Sequence, residues 1–463
     1  MRNFCRITEK TLKDLESISG KEALLTSDKD LEGYSRDETP GIYGKPEAVL
    51  RPSSPGEISE LVRLALDRNF PVTPRGGGTS LSGGPVPLFG GVVLSFERMR
   101  SIEDIDTENR MALLQPGVVN GILQTEAEKL GLFYPVNPAS MDSCTMGGNV
   151  AQATGGANTV RYGTTRNYLT GLEAVSGSGN LWSCGGKVLK NSTDQALLQL
   201  ACGSEGTLSI FTRFTFRLLN RSPFTTWIIA PFSNILDIPG AASRIIRQGL
   251  NPTMVELMDD LTLKCCSEHT GIPRRFPGMH QLLVRFDSDD GDRLEELSFT
   301  AGEVCAESGA ADVFAADTKA RQQQIWKIRS SIHEALGERA GSICEEDVVV
   351  PRAGVGKMIK KAYETADKYS MPAAVFGHLG DGNLHINLTG KDNSDPGKTE
   401  KAREEIFSAA IKLGGKISGE HGIGITKKKA FQRYADKGYI ELLRGVKKVF
   451  DPENILNPGK LCP

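Results

Sequence analysis

The chain has few of the features that mark secreted, membrane-spanning or nucleic-acid-binding proteins. No run of about 18 uninterrupted apolar residues occurs, and the first ten residues, MRNFCRITEK, contain no apolar core like that of a signal peptide. The 55 Lys and Arg against 57 Asp and Glu give a net charge of −2, which offers no excess of positive charge to displace the counterions of a nucleic acid. We therefore expect no transmembrane segment and no nucleic-acid partner.

The cysteines also lack a pattern. They are nine in number, and no two have the C-x-x-C spacing of iron–sulfur or zinc sites. They stand at Cys5, Cys144, Cys184, Cys202, Cys265, Cys266, Cys305, Cys344 and Cys462. Reduced thiols in a cytoplasmic protein fit this scatter best, and we expect the adjacent pair Cys265 and Cys266 to be ordinary buried thiols.

Glycine is abundant, at 51 of 463 residues, and is concentrated at about 46–220. There, short β-branched runs at 70–73, 91–96 and 112–115 alternate with glycine loops and with helical patterns at 56–69 and 118–130. After Pro223, helical patterns at 239–249, 291–308, 317–338, 354–369 and 398–413 alternate with strand-like runs such as 281–286 and 347–350. The chain length and the change of pattern after Pro223 predict two or three domains, and the part after Pro223 is expected to be α+β.

Two glycine-rich stretches predict a ligand with phosphates. Residues 74–84, PRGGGTSLSGG, can turn several backbone N–H groups toward one anion, and Arg75, Thr79 and Ser80 add further donors. The loop is neither a Walker motif nor the G-x-G-x-x-G of a Rossmann helix. A single such loop could equally be a mobile surface loop. A second donor-rich stretch at 137–156 favours a dinucleotide.

Half of the six histidines fall in two glycine-flanked motifs. Residues 377–387, GHLGDGNLHIN, resemble a hairpin with a two-residue turn at Asp381 and Gly382, which would place His378 directly opposite His385. Residues 418–424, SGEHGIG, add Glu420 and His421. Two imidazoles and a carboxylate predict a metal site with open positions, while His421 suits a general base. Structural roles remain the alternative for these histidines and the expectation for His269 and His280.

Seven motifs, in this order along the chain, resemble those of the vanillyl-alcohol-oxidase/p-cresol-methylhydroxylase flavoproteins. They are PRGGGTS at 74–80, SCTMGGN at 143–149, RYG at 161–163, GSEGT at 203–207, the histidine motif at 378–387, SGEHGIG at 418–424 and NILNPGK at 454–460. Within that superfamily the chain resembles the FAD-linked D-2-hydroxy-acid dehydrogenases, the branch of D-lactate dehydrogenase, the glycolate oxidase flavin subunit and D-2-hydroxyglutarate dehydrogenase.

The resemblance implies an α+β fold with a two-subdomain FAD-binding domain of the p-cresol-methylhydroxylase type. It implies a helical segment at 1–45, the FAD-binding domain at 46–220, an α+β, ferredoxin-like substrate cap at 221–415, and a segment at 416–463 that returns to the flavin and the metal. The implied FAD-binding residues are Pro74, Arg75, Gly76, Gly77, Gly78, Thr79, Ser80, Pro138, Ser140, Ser143, Gly147, Gly148, Asn149, Glu205, Gly206, Ile210 and Asn457. No histidine precedes His269, so non-covalent FAD is expected.

The resemblance also implies roles in the cap. Residues 324–329, QIWKIR, match the helix whose arginine binds the substrate carboxylate, which gives Arg329 that role. At His333 and at 344–347, CEED, the chain departs from the D-2-hydroxyglutarate enzymes. A smaller substrate such as D-lactate or glycolate is therefore expected, with a D-2-hydroxyglutarate-type dehydrogenase as the alternative.

The implied reaction is oxidation of a 2-hydroxy acid that chelates a divalent metal, Zn, Mn or Fe, on His378, His385 and Glu420. In this hypothesis His421 takes the hydroxyl proton, Arg329 fixes the carboxylate, and Asn387 orients the oxygen from the strand face of His385. Electrons are expected to pass to a separate acceptor, an electron-transferring flavoprotein or an iron–sulfur subunit, and a homodimer is possible. Three alternatives are a zinc hydrolase without flavin, a non-redox flavoprotein synthase of the same fold, and a non-catalytic FAD-holding subunit.

Overall fold

The computed structural model describes residues 3–194, 196–316, 318–339, 343–389 and 396–461. The chain divides into two compact units. Unit 1 comprises residues 1–154, 164–221 and 421–463, and unit 2 comprises residues 155–163 and 222–420. Of the nine cysteines, Cys462 lies outside the described residues, and Cys265 and Cys266 are buried free thiols, as predicted.

The secondary structure mixes short strands and helices throughout. The strands are β1 (Leu24–Leu25), β2 (Ala48–Leu50), β3 (Val72–Arg75), β4 (Val92–Ser95), β5 (Ile102–Asp106), β6 (Met111–Leu114), β7 (Leu132–Phe133), β8 (Leu169–Ser176), β9 (Leu181–Gly185), β10 (Ser209–Arg217), β11 (Leu219–Asn220), β12 (Phe224–Phe232), β13 (Met254–Met258), β14 (His280–Ser288), β15 (Phe314–Ala316), β16 (Ile343–Val349), β17 (Ala373–His378) and β18 (Asn383–Thr389). The helices are α1 (Glu9–Ser19), α2 (Asp28–Glu32), α3 (Pro55–Arg68), α4 (Asn120–Lys129), α5 (Met146–Gln152), α6 (Thr159–Tyr162), α7 (Leu197–Ala201), α8 (Ile238–Arg247), α9 (Asp260–Thr270), α10 (Gly291–Glu307), α11 (Lys319–Ser330), α12 (Ile332–Arg339), α13 (Val355–Tyr369), α14 (Pro396–Lys412), α15 (Lys428–Tyr434) and α16 (Lys437–Phe450).

Unit 1 begins with a four-stranded sheet in the order β1-β2-β4-β3, in which β2, β4 and β3 are parallel. Helix α3 starts at the cap Ser54, whose side chain accepts from the Glu57 backbone, and ends at Asn69 in the left-handed region. Its apolar face joins the strand residues in one buried core. The helical spacing predicted for α3 is confirmed. The first glycine loop follows directly from the end of β3 in this sheet.

A second sheet of unit 1 is antiparallel, in the order β5-β6-β10-β8-β9, and β7 pairs separately with β11. Strand β10 is central and pairs with both β6 and β8. The GSEGT motif immediately precedes β10, so this buried strand fixes the position of the motif.

Unit 2 contains a seven-stranded antiparallel sheet in the order β15-β12-β14-β13-β17-β18-β16. In its first four strands, β12 and β13 are connected through α8, and β14 and β15 through α10, which gives the ferredoxin-like order. The β17–β18 hairpin and β16 extend this sheet beyond β13. The predicted α+β class is confirmed, while the helical pattern at 317–338 forms two helices, α11 and α12.

Among the described helices, none combines the length and the apolar character needed to cross a bilayer.

Candidate functional site

The two predicted glycine loops touch each other in unit 1. A Cβ atom on Gly76 would lie 2.3 Å from Thr145 Oγ1, and one on Gly77 would lie 2.3 Å from the carbonyl oxygen of Ser143. Gly78 has a φ of +74°, in the left-handed region. The absence of side chains therefore lets the first loop lie directly against the second, and a substitution at Gly77 would meet backbone that cannot easily move.

The second loop leads into helix α5. Thr145 caps this helix by accepting from the Gly148 backbone at 3.4 Å, and a Cβ on Gly147 would lie 2.8 Å from Pro116 Cβ. Pro138 and Ser140 precede the helix in a turn closed by backbone hydrogen bonds from Met141 and Ser143. Ser143, Thr145 and Gly148 thus lie beside the first loop, as a shared ligand would require.

A third segment of unit 1 joins these loops. Asn457 Nδ2 donates to the carbonyl oxygens of Glu205, at 2.8 Å, and Gly84, at 3.0 Å. Gly206 has a φ of +67°, and its Cβ would lie 2.7 Å from Pro74 Cγ. The predicted cofactor residues Pro74, Glu205, Gly206 and Asn457 therefore form one cluster.

Three predicted cofactor residues contact other parts of the protein. The Arg75 guanidinium donates to the carbonyl oxygens of Arg36 and Gly33, at 2.8 and 3.2 Å, and Ile210 is buried in the core. Ser80 Oγ accepts from the Ser82 backbone at 3.2 Å. The roles assigned to these residues and to Thr79 and Asn149 stay predictions.

Unit 2 places three predicted metal ligands together. His378 Nε2 and His385 Nε2 each lie 3.4 Å from the same oxygen, Glu420 Oε1. The ligand atoms of the three residues lie within 4.8 Å of one another. Both imidazoles are buried, while the Glu420 side chain remains 20% exposed. The donor set of two imidazoles and one carboxylate fits a divalent cation that keeps positions open for a substrate.

The predicted register of the hairpin is wrong. His378 lies opposite Asn383, and His385 lies opposite Phe376. The turn contains the four residues 379–382, and Leu379 at its start is buried. The two histidines nevertheless share a face of the sheet as diagonal neighbours, with ring centroids 5.5 Å apart.

A residue that the sequence analysis missed connects this cluster to Arg329. Glu256, on β13, is fully buried and lies opposite His378 in the sheet. Its Oε1 lies 2.5 Å from His378 Nδ1, and its Oε2 accepts from Arg329 Nε at 2.7 Å. Phe376 stacks on His385 at 4.9 Å and lies under the Arg329 guanidinium at 5.5 Å. Arg329 is therefore buried and fixed, unlike an ordinary exposed helix arginine.

The charges of this cluster stabilise one another. Burial would lower the pKa of His378, yet the carboxylates of Glu256 and Glu420 raise it well above its ordinary value. Burial would likewise raise the pKa of Glu256 and of Glu420, but His378 with Arg329, and His378 with His385, hold these two pKa values below the usual range. Both carboxylates are therefore anionic and able to accept hydrogen bonds.

A second buried carboxylate holds the SGEHGIG motif. Asp347 Oδ2 accepts from Ser418 Oγ at 2.9 Å and from the backbone nitrogens of Gly419 and Glu420 at 3.0 and 3.1 Å. Its Oδ1 accepts from Asn383 Nδ2 at 2.7 Å. Asp347 thereby fixes the peptide that carries Glu420.

The remaining catalytic candidates are placed as follows. His421 directly follows Glu420 and begins the last segment of unit 1, in which Glu205 accepts from the backbone nitrogens of Ile423 and Gly424, both at 2.7 Å. Asn387 shares a face of β18 with His385, and its Nδ2 is buried without a hydrogen-bond partner among the described residues. His333 is 45% exposed and faces Glu345.

The histidines expected to be structural have protein partners. His269 Nδ1 lies 2.9 Å from Glu338 Oε2, and His280 Nδ1 accepts from the backbone nitrogen of Asp260 at 3.2 Å. These contacts agree with the structural roles expected for the two histidines, and those roles stay predictions.

The structure combines donor-rich, glycine-rich loops in unit 1 with a buried histidine–carboxylate cluster in unit 2, and this combination suits a flavin-dependent oxidoreductase. The chain belongs to the FAD-linked oxidases: residues 222–461 match the family described as FAD linked oxidases, C-terminal domain, and residues 46–185 match the FAD binding domain family. The predicted recognition as a FAD-linked oxidoreductase is confirmed.

Several curated relatives align over nearly the whole chain. It is 35% identical to the glycolate oxidase subunit GlcD of Bacillus subtilis, over 98% of this chain and 97% of the relative. It is 34% identical to a D-lactate dehydrogenase of Anaerostipes hadrus, over 99% and 98%. Identity to a D-2-hydroxyglutarate dehydrogenase of Stutzerimonas stutzeri is 32%, over 97% and 98%.

Solved structures agree on the fold. The chain superposes on p-cresol methylhydroxylase with a TM-score of 0.80 at 17% identity, over 98% of this chain and 97% of the other. Superposition on an alkyldihydroxyacetonephosphate synthase gives a TM-score of 0.78 at 18% identity, over 100% and 87%. The p-cresol-methylhydroxylase type of fold is thus confirmed. The glycine-loop cluster of unit 1 offers hydrogen-bond donors of the kind that FAD requires.

Proposed function

We propose that this protein oxidises a small D-2-hydroxy acid, D-lactate or glycolate, to the 2-oxo acid, using non-covalent FAD and one divalent metal. The observation that carries the proposal is the convergence of His378 and His385 on one oxygen of Glu420, beside a buried arginine. A cation for the hydroxyl and a guanidinium for the carboxylate match the two polar groups of such an acid. Relatives named D-lactate dehydrogenase and glycolate oxidase support this substrate class.

The metal would be held by His378, His385 and Glu420. When bound, a divalent cation lowers the pKa of an attached hydroxyl group. Two imidazoles and one carboxylate accept Zn, Mn or Fe(II), so the donor set leaves these three candidates.

The chain's own residues then divide the remaining tasks. Arg329 binds the substrate carboxylate, since its Nε is occupied by Glu256 and its terminal nitrogens complete a planar fork of donors. The buried amide of Asn387 orients the substrate oxygen. His421 accepts the hydroxyl proton as general base. The glycine loops of unit 1 would hold FAD, which would supply a hydride acceptor for the oxidation.

A D-2-hydroxyglutarate-type dehydrogenase is the second candidate, supported by relatives of that name. The polar His333 and Glu345 pair, at 3.5 Å, favours a small substrate, because it offers no free cation for a second carboxylate. A non-redox synthase of the same fold is a weaker alternative, since it gives the metal cluster no task.

Electrons would leave through an electron-transferring flavoprotein or an iron–sulfur subunit. That acceptor, the cytoplasmic location and the possible homodimer stay predictions.

Anaerobic reduction of the bound flavin by a panel of D- and L-2-hydroxy acids tests the proposal. We expect bleaching of the flavin absorbance by D-lactate or glycolate, loss of bleaching after treatment with a chelator, and recovery with added metal. A flavin that D-2-hydroxyglutarate bleaches far faster would favour the second candidate, and a flavin that no 2-hydroxy acid bleaches would refute both.

A further inference from the structure

One buried carboxylate contacts both a proposed metal ligand and the proposed substrate arginine. Glu256 uses Oε1 for His378 Nδ1 and Oε2 for Arg329 Nε, at 2.5 and 2.7 Å, and neither it nor Arg329 is more than 7% exposed. A carboxylate can only accept hydrogen bonds, so both contacting nitrogens must carry protons. The proton on His378 is thereby fixed to Nδ1.

That assignment determines what His378 presents on its other side. A histidine that binds a metal must be neutral, and with its proton on Nδ1 the lone pair would lie on Nε2, the atom that lies 3.4 Å from Glu420 Oε1. Histidine ligands commonly depend on a carboxylate of this kind to set their tautomer and ring orientation. The strand register supports the contact, because Glu256 and His378 lie opposite each other in β13 and β17.

We propose that Glu256 is a positioning residue that fixes the metal-binding tautomer of His378 and, through its other oxygen, the side chain of Arg329. This inference rests on the proposed function, since it assigns the support of the proposed metal ligand and of the proposed carboxylate-binding residue. Metal binding by His378 and substrate-carboxylate binding by Arg329 would then both depend on the Glu256 side chain.

The substitution Glu256→Gln separates this role from simple loss of packing. The amide has the same shape but only one acceptor oxygen. Arg329 stays charged and has no acceptor function, so it should take that oxygen and leave the amide NH₂ facing His378 Nδ1. The proton of His378 would then move to Nε2, which is the wrong tautomer for a metal ligand.

A second substitution should reverse that effect. In the double variant Glu256→Gln with Arg329→Met, the arginine no longer competes, and the amide oxygen can turn to accept from His378 Nδ1. Metal affinity should therefore recover while substrate binding stays impaired. A residue that mattered only for folding would give a double variant worse than either single one.

The experiment measures the Zn²⁺ dissociation constant of the FAD-loaded protein, without substrate, by competition with a chromophoric chelator. We expect Glu256→Gln to raise this constant by about 10–100-fold, Arg329→Met to leave it within about threefold, and the double variant to return within about fivefold of the wild type. The matched control is Glu346→Gln, which changes another buried glutamate of the same sheet, paired with Arg403 instead of a histidine. It should leave Zn²⁺ affinity unchanged.

Three outcomes decide the matter. A double variant that binds Zn²⁺ no better than Glu256→Gln would overturn the inference and leave the proposed function intact. A wild-type protein that binds no Zn²⁺, Mn²⁺ or Fe²⁺ would overturn the proposed metal site and the inference together. Should the variants fail to fold, ¹⁵N NMR of histidine-labelled, Zn²⁺-loaded wild-type protein is decisive: a proton on Nδ1 of His378 supports the inference, and a proton on Nε2 overturns it.

Discussion

Asp347 Oδ2 lies 3.1 Å from the backbone nitrogen of Glu420 and 3.0 Å from that of Gly419. A fully buried carboxylate on β16 therefore holds the peptide that carries the third proposed metal ligand. Gly419 can approach because it has no side chain: a Cβ there would lie 2.2 Å from Asn383 Nδ2. Residues that orient metal ligands in this way commonly affect metal affinity when they are substituted.

Asp347→Asn should lower Zn²⁺ affinity by about 10–100-fold, because the new NH₂ group would face backbone N–H donors in place of an acceptor. Chelator competition on the FAD-loaded protein measures the change. The neighbouring Glu346→Gln is the control, since that residue contacts Arg403. Equal Zn²⁺ affinity in Asp347→Asn and the wild type would contradict this role.

Gly77→Ala should yield protein with little bound FAD. The added Cβ would lie 2.3 Å from the Ser143 carbonyl oxygen, so the two loops would have to separate. The ratio of flavin to protein absorbance after purification reports the loss. Gly56→Ala is the matched control in unit 1, because its Cβ meets only Ser54 Oγ at 3.8 Å within helix α3. Normal flavin content in Gly77→Ala would show that loop contact is not needed.

His421→Ala should remove the general base without removing a predicted flavin or metal contact. We expect the purified protein to stay yellow and to bind Zn²⁺, while anaerobic bleaching by the preferred 2-hydroxy acid slows by about 100- to 10,000-fold. Stopped-flow absorbance follows the reduction step without any external acceptor. Bleaching at the wild-type rate would refute the assignment of His421.

Lys460→Met should change how stability depends on pH. Lys460 is buried and donates to Val86 O and Asn457 Oδ1, at 2.7 and 3.0 Å, and burial lowers its pKa from 10.5 to about 7. Between these two values the unfolded chain binds more protons than the folded chain, so this group makes stability rise with pH, on the order of 1 kcal/mol per pH unit. Below pH 7 its destabilising effect is fully present.

Urea unfolding of the apoprotein at pH 7, 8 and 9 checks this prediction. The free energy of unfolding of the wild type should rise relative to that of Lys460→Met as the pH increases. Parallel pH profiles for the two proteins would mean that the lysine keeps its ordinary pKa in the fold.

Much of the fold could be predicted because its signals are local. The apolar spacing of α3 corresponds directly to the buried residues Ile58, Leu61, Val62 and Ala65, and the helix–strand alternation after Pro223 corresponds to the ferredoxin-like order of unit 2. The proximity of His378 and His385 was also predictable, because the two residues flank the turn of one hairpin; that they share a face depends on the length of the turn.

The residues that hold the proposed metal ligand and the arginine in position were not predictable, because their contacts depend on pairing between distant segments. Glu256 stands as a lone charge in the apolar run MVELM, all of which is buried in β13, and such a residue needs a partner. That signal was present in the sequence. Its partners, Arg329 and His378, follow from the register of β13 against β17 and from the placement of α11, neither of which the local pattern specifies.

The turn at 379–382 does more than reverse the chain. Leu379 is buried, and Gly382 has a φ of +88° with its Cβ position only 2.0 Å from Val350 O, so both ends of the turn are fixed. Inserting or deleting one residue there would slide β18 by one position and send the His385 ring through to the opposite surface of the sheet. The length of this short connection is therefore as much a part of the metal chemistry as the imidazoles are, and any attempt to graft the hairpin onto another scaffold must copy its residue count before its side chains.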